Sequence, residues 1–465
     1  LDLLNLGYNP LTEEMLHRIR ESVGEKALIL DPRDREVFGK DATELSYPPE
    51  AVVEATSVEQ VESVIRLANE YRFPVTPRGT GTGLTGGAVP VFGGVTLSLA
   101  RMNRILSIDT DNFIAVVEPG VVNGDLKIAA REAGLFYPPD PASFDTCSLG
   151  GNAATNAGGA SCVKYGTTRD YVLGLEAVLP TGRRISAGVQ TRKGVVGYDL
   201  TRLLVGSEGT LGIITRLILK LVPLPPSVMT LVALFPDLPS TMRGVLRILG
   251  TGHVPCALEF LDRRCLDLIG DLLPFEGVRD AGALLLVEAD GAPRSVQRDI
   301  EEMGELCMES GAGNVFLAPD SAKRAQMWDV RKQVSLRIEQ EAPVYVAEDV
   351  VVPIGRIAEL VAALPEMEER FGMKIYSFGH AGDGNIHLNI TAPSVEMSQR
   401  VQEGIETILD RVLALGGTIS GEHGIGLLKR RFMAMELSEE SLRLQREIKK
   451  LFDPNGILNP GKLFV

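Results

Sequence analysis

Three stretches of this chain are almost bare of large side chains, and they limit the folds open to it more than any other feature. They are Pro77-Arg-Gly-Thr-Gly-Thr-Gly-Leu-Thr-Gly-Gly-Ala-Val-Pro90, Cys147-Ser-Leu-Gly-Gly-Asn-Ala-Ala-Thr-Asn-Ala-Gly-Gly159 and Gly206-Ser-Glu-Gly-Thr-Leu-Gly-Ile-Ile214. The first contains a formal G-x-G-x-x-G at Gly81, Gly83 and Gly86. A dinucleotide fold would follow it at once with a helix, and with an acid about 20 residues on. Pro90, Gly93 and Gly94 follow instead, a strand-like run comes next, and Arg101 stands near the place of the acid. The Rossmann reading therefore fails. A simple turn needs one glycine, whereas residues 79–87 hold five in nine positions beside Arg78. Such a loop presents backbone N–H groups and hydroxyls to an anion. The second loop, preceded by Pro138-Pro-Asp-Pro141, lets a flat ligand approach the backbone closely. No Walker A sequence is present.

Composition excludes several classes. The chain has 465 residues, enough for two or three domains. It carries 47 Lys and Arg against 61 Asp and Glu, a formal charge of −14, which argues against binding nucleic-acid phosphates. Its hydrophobic fraction of 45% and charged fraction of 23% are those of an ordinary globular chain. No apolar run reaches the ~18 residues of a membrane span. Leu1 to Leu30 shows no signal-peptide pattern, although the chain does not begin with Met. The five cysteines are scattered with no C-x-x-C pair, so they read as buried small hydrophobes in a reducing, cytoplasmic setting, and no iron–sulfur cluster is expected on this chain.

The pattern predicts helices over 11–24 and 57–72, the second opened by a Ser57/Gln60 capping box. Strands are predicted over 73–77, 94–99, 113–117, 173–180 and 212–222. The run Val222-Pro-Leu-Pro-Pro226 reads as a linker. Beyond it, strand-like runs at 230–235, 257–261, 283–289 and 314–318 alternate with helices at 293–310 and 321–340. Two more strands flank His380, and helices cover 395–415 and 438–452. This describes an α+β domain built on an antiparallel sheet.

Three of the five histidines lie in two glycine-framed segments, Gly379-His-Ala-Gly-Asp-Gly-Asn-Ile-His387 and Gly421-Glu-His-Gly-Ile-Gly426. The first reads as strand, tight loop, strand, which can aim His380 and His387 at one point; His387 and Asn389 share a strand face. Two His and one Glu drawn from these segments form a ligand set that suits Zn²⁺ or a similar divalent metal. His17 and His253 read as unremarkable. Arg331, in Trp328-Asp-Val-Arg331, is the natural partner type for a carboxylate.

Together, Pro77–Gly83, Gly150–Gly159, Tyr165-Gly166 and Gly206–Gly212 resemble the FAD-binding domain of the vanillyl-alcohol oxidase superfamily. From about residue 45 to 465 the chain is similar to its FAD-linked 2-hydroxy-acid dehydrogenase branch, which includes the glycolate oxidase FAD subunit, D-lactate dehydrogenase and D-2-hydroxyglutarate dehydrogenase. The resemblance implies that Pro77, Arg78, Gly79, Thr80, Gly81, Thr82 and Gly83 hold the FAD pyrophosphate. It implies that Asp140, Ser143, Gly150, Gly151 and Ala154 line the flavin, with Gly158, Gly159 and Ile214 nearby. Glu208 and Gly209 would contribute from the third loop, and Asn459 would return to the flavin domain. It implies metal ligands His380, His387 and Glu422, a general base His423, and a substrate-carboxylate anchor Arg331 helped by Asn389. No histidine lies between His17 and His253 to tether a flavin, so FAD is expected to be noncovalent.

The expected fold is thus α+β: a two-subdomain FAD-binding domain of this type plus an α+β substrate (cap) domain with an antiparallel sheet. The expected divisions are an N-terminal helical segment (1–45), the FAD-binding domain (46–226), the cap (227–420), and an active-site loop with a C-terminal return (421–465). The expected activity is FAD-dependent oxidation of a small D-2-hydroxy acid to the 2-oxo acid. The metal would be Zn, or else Mn or Fe. D-lactate is favoured and glycolate comes next. Hydroxyglutarate-oxidising relatives have a Lys just before the D-x-x-x-P strand. Here Tyr345-Val-Ala-Glu-Asp-Val-Val-Val-Pro353 has none, and Glu348 and Asp349 would repel a second carboxylate if they faced it. The rivals are a D-2-hydroxyglutarate dehydrogenase, a noncatalytic FAD-binding subunit and a flavin-free metallohydrolase. Electrons would leave to a separate protein, an electron-transferring flavoprotein or an iron–sulfur subunit. A homodimer is compatible, as is membrane association through a partner.

Overall fold

The computed structural model describes residues 7–273 and 275–464. The chain forms two compact units. The first runs to Ala157, resumes for Thr167–Leu224 and takes in the chain from Glu422 onward; the second comprises Gly158–Gly166 and Pro225–Gly421. The short segment Gly158–Gly166 shows no boundary signal in the sequence. It belongs to the second unit because Lys164 and Tyr165 both bind Asp290 there, the Tyr165 hydroxyl donating to Oδ2 at 2.6 Å.

The first unit contains two main sheets among the described residues. In one, Ala51–Glu54, Val95–Ser98 and Val75–Arg78 run parallel, and Leu28–Ile29 adds an antiparallel edge. The parallel strands are buried and apolar, as a sheet covered on both faces requires. Helix Val58–Tyr71 covers it with Val61, Val64, Ile65 and Ala68, all fully buried. Ser57 Oγ accepts from Gln60 N, but the Gln60 side chain reaches one residue further back than a capping box requires, to Thr56 N. The other sheet is antiparallel, in the order Ile105–Asp109, Ile114–Val117, Ile213–Lys220, Val172–Val178, Arg184–Gly188.

The supposed linker is partly structured. Val222–Pro223 pairs with Leu135–Phe136, and the chain changes unit only after Leu224. The second glycine stretch is not wholly loop either: Leu149–Thr155 is a short helix capped by Ser148. Ser148 supplied an N-cap signal, but the Gly-Gly-Asn sequence behind it masked the helix. Helix Ile357–Phe371 was also illegible, because Pro365 sits inside it.

The second unit is built on a seven-stranded, wholly antiparallel sheet. Its order is Asn314–Leu317, Ser227–Phe235, Ala283–Gly291, Ala257–Asp262, Lys374–His380, Asn385–Ala392, Val344–Val351. Helix Ser321–Glu339 lays Met327, Val330, Val334 and Ile338 on Val232, Leu284 and Leu286. Each such side chain, fully buried, contributes about 1.5–3 kcal/mol. That anchoring brings Arg324, Trp328 and Arg331, spaced four and three residues apart, to acids on the sheet: Arg324 and Trp328 to Glu288, Arg331 to Glu259.

Candidate active site

In the first unit the glycine stretches form a cradle made of backbone. No backbone N–H from Thr80 to Gly87 donates to an acceptor among the described residues. Thr80 Oγ1 and Asn152 Nδ2 are buried without partners. A Cβ on Gly79 would stand 2.1 Å from Ser148 Oγ, and one on Gly150 would stand 2.5 Å from the Pro119 side chain. A side chain at Gly79 would thus collide with Ser148, and one at Gly150 with Pro119, so both positions need glycine for close approach. N–H groups without protein acceptors are available to an anion, and a polyanion such as the FAD pyrophosphate would satisfy them. The residues fit that group.

Two side chains assigned to the cofactor do other work. Arg78 is buried and donates to the carbonyls of Lys40 and Val37, so it fastens the N-terminal segment while its guanidinium stands against the glycine loop, where a Cβ on Gly81 would lie 2.0 Å from its Nη2. Burial lowers its pKa. Glu208, at φ 51°, accepts from Ile425 N and Gly426 N, each at 2.7 Å, and its own carbonyl accepts from Asn459 Nδ2 at 2.8 Å. Its carboxylate is thus occupied by the segment that follows His423. Asn459 also donates to Gly87 O at 3.0 Å, and Asn459 N donates to Val75 O. This is the C-terminal return. Gly158 and Gly159 are buried in the second unit. Asp140, Ser143, Gly150, Gly151, Ala154, Gly209 and Ile214 all lie in the first.

In the second unit the chemistry lies on one face of the sheet. His380 and His387 end and begin the hairpin whose turn is closed by Gly384, at φ 87°. Their Nε2 atoms face each other at 3.4 Å with the rings 88° apart. Two imidazoles on one tetrahedral Zn²⁺, each ~2.0–2.1 Å away, would have their nitrogens about 3.3 Å apart. The pair therefore fits a divalent metal. Behind it stands a residue the sequence reading overlooked. Glu259, cross-strand from His380 and 1% exposed, receives His380 Nδ1 on Oε1 and Arg331 Nε on Oε2 at 3.0 Å. Burial alone would raise its pKa, but the charges of His380 and Arg331 prevail and hold it at about 2. A carboxylate on Nδ1 directs Nε2 outward, as in carboxylate–histidine–metal arrangements. The available signal was an acid inside the apolar run Ala257-Leu-Glu-Phe-Leu261.

Arg331 is therefore paired, not free; its Nε and Nη2 point at Glu259 and its guanidinium lies 4.7 Å over Phe378. Asn389 donates to Tyr345 Oη at 3.0 Å, and burial pushes the Tyr345 hydroxyl up to about 12. Asp349, opposite His387 in the ladder, is fully buried and bound by Asn385 Nδ2 (2.5 Å), Ser420 Oγ (3.1 Å) and Gly421 N (2.8 Å). The sequence implied that it, like Glu348, would repel a second carboxylate only if it faced one. Its charge is instead spent on these donors, because neighbouring N–H and O–H groups point at it, and it fixes the chain immediately before Glu422 and His423. Four cysteines are buried and Cys162 is half-buried; all are free thiols.

A backbone cradle for a large anion and a histidine pair on a rigid sheet define a flavin-linked oxidoreductase. Residues 224–463 match the family described as FAD linked oxidases, C-terminal domain, and residues 49–188 match the one described as FAD binding domain. The chain is 40% identical over 433 residues to the glycolate oxidase subunit GlcD of Bacillus subtilis (strain 168), covering 92% of each. It is 39% identical over 477 residues to the D-lactate dehydrogenase of Anaerostipes hadrus, covering 98% of each. The solved structure of p-cresol methylhydroxylase with substrate bound matches at TM-score 0.82 over 98% of both chains; at 19% identity that likeness concerns fold alone. The chain belongs to the FAD-linked oxidases and is an FAD-linked oxidoreductase. Among the described residues, no helix is long and apolar enough to cross a membrane.

Proposed function

We propose that this chain oxidises a small D-2-hydroxy acid to the 2-oxo acid, D-lactate first and glycolate second. The observation that carries the reading is the His380–His387 pair, backed by Glu259 and flanked by Arg331, in a chain with an FAD-binding domain. The names of the two relatives agree with that substrate class.

His380 and His387, with Glu422 one residue beyond the anchored Gly421, would hold a divalent metal, Zn favoured, with Mn or Fe also suited to such donors. When bound, the metal supplies Lewis-acid stabilisation of a developing alkoxide. Arg331, oriented by Glu259, binds the substrate carboxylate through the edge of its guanidinium that Glu259 leaves available. Asn389 assists from the neighbouring strand. His423 removes the hydroxyl proton as general base. FAD, bound noncovalently, supplies the acceptor for the C2 hydride. The want of a Lys in Tyr345–Pro353 supports a monocarboxylate. Scattered cysteines give no relay, so a separate acceptor protein takes the electrons, and the subunit status of the Bacillus relative favours that.

The test is anaerobic titration of the yellow protein with D-lactate, L-lactate, glycolate and D-2-hydroxyglutarate. D-lactate should bleach the flavin band most readily. A flavin that no 2-hydroxy acid bleaches would overturn the reading. Acid precipitation should release the FAD into the supernatant.

A further inference from the structure

The segment carrying His423 has little stiffness of its own. Gly424 and Gly426 both have positive φ, and a Cβ on Gly426 would stand 2.3 Å from Thr85 O. What holds this segment comes from elsewhere in the first unit. Glu208, wholly buried on the third glycine stretch, takes Ile425 N on Oε1 and Gly426 N on Oε2, both at 2.7 Å. Thr85, on the first stretch, donates its hydroxyl to His423 O at 3.3 Å and accepts from Leu427 N at 2.8 Å. Glu208 is itself fixed, because its N–H donates to Ala154 O and its carbonyl receives Asn459 Nδ2. Burying a carboxylate is expensive unless its oxygens are occupied, and here two backbone donors occupy them.

We propose that Glu208 is a positioning residue for His423: its two carboxylate oxygens clamp the backbone two and three residues beyond the base and so set where the imidazole stands. This rests on reading His423 as the base. Thr85 also joins the base's loop to the first stretch, whose N–H groups would meet the FAD pyrophosphate. Cradle and base are therefore one hydrogen-bonded assembly. A Gln at 208 keeps the size of Glu, but its amide nitrogen would meet one of the two N–H donors and leave it unsatisfied.

The experiment uses the FAD-loaded full chain with D-lactate, or glycolate, and an artificial dye as acceptor. Variants Glu208→Gln, Thr85→Val and His423→Ala are compared by flavin content, by kcat and KM separately, and by hydrogen exchange at 423–428. A base displaced by about an ångström costs on the order of a hundredfold in rate. Glu208→Gln should keep its flavin and a near-normal KM, lose kcat by about ten- to a hundredfold, and exchange the 425 and 426 amides faster. Thr85→Val should show the same split in smaller degree, and it carries the test if Glu208→Gln does not fold. Unchanged kcat per bound flavin in the folded variants, or unchanged exchange at 425–426, overturns the clamp. Full turnover in His423→Ala overturns the base and the clamp together. An inactive His423→Ala beside a fully active Glu208→Gln overturns the clamp alone.

Discussion

The two units make their sites from opposite materials. In the first, binding capacity lies in backbone: N–H groups from Thr80 to Gly87 without acceptors, and glycines where a Cβ would collide with the next loop. In the second it lies in side chains on a rigid sheet, with Glu259, His380, His387 and Asp349 set across four adjacent strands. The contrast suits the two tasks. A large cofactor needs many weak donors and close approach. A reacting centre needs a few groups held to within fractions of an ångström, and strands hold them better than loops do.

The sharpest way to break that contrast is to remove single histidines, one on the sheet and one on the loop that carries His423. His387→Ala should strip the metal and abolish turnover. His423→Ala should keep both metal and FAD while losing about 10²–10⁴-fold in rate, the usual worth of a positioned base. Elemental analysis beside flavin spectra separates the two. Metal lost from the His423 variant but kept in the His387 variant would mean that ligand and base are interchanged here. Glu259→Gln comes next. With one oxygen for two donors it cannot serve both His380 and Arg331, so zinc affinity should fall about 10–100-fold and KM should rise. Zinc titration by calorimetry reads the first effect without any turnover. Wild-type affinity would reduce Glu259 to a fold-stabilising acid.

The cradle should respond through volume instead. Gly150→Ala places a methyl group 2.5 Å from the Pro119 side chain and 2.9 Å from its carbonyl, an overpacking cost of about 1–3 kcal/mol, and flavin affinity should fall with it. Gly134→Ala, at φ +73° but with open space around it, brings backbone strain without the collision; it is the control and should retain its flavin. Equal flavin loss in both would argue that strain, not close approach, is what the cradle's glycines relieve.

The smallest effect concerns Lys462, 3% exposed, whose ammonium donates to Val89 O beneath the same cradle. Burial drives its pKa down to about 7, against the pull of Asp41 and Glu208. Between about pH 7 and its usual value near 10.5 the unfolded chain then holds the proton that the folded chain has released. On this residue's account, folding stability should rise with pH through that window and level off below about 7. Lys462→Met should flatten the slope, which urea midpoints at several pH values would show. An unchanged slope would place its origin in other groups.

Much of the first unit was readable because its function excludes side chains. Glycine clusters and helix caps are local, so Ser57 announces its helix within four residues. Even so, Leu149–Thr155 hid inside the second glycine stretch. The second unit was readable as alternating strands and amphipathic helices, and the hairpin at His380 followed from its glycines. Its inner partners were not. Glu259 is 121 residues from His380 and 72 from Arg331, and nothing in its neighbourhood names either one. The carbonyl partners of Arg78 were hidden for a related reason. A cation beside a glycine loop suggests an anion, yet the Lys40 and Val37 carbonyls that claim it are 38 and 41 residues away.

The sequence by itself determined the FAD-linked class and the candidate residues for its chemistry, because residue type and local spacing are written along the chain. Only the tertiary structure decided which groups are already engaged. Glu208 holds a loop, Arg78 ties down the N-terminal segment, and Asp349 anchors residues 420 and 421. The physical reason is that a buried charge must find donors or acceptors wherever the fold supplies them, and in an antiparallel sheet the nearest ones in space are set by register, not by position along the chain.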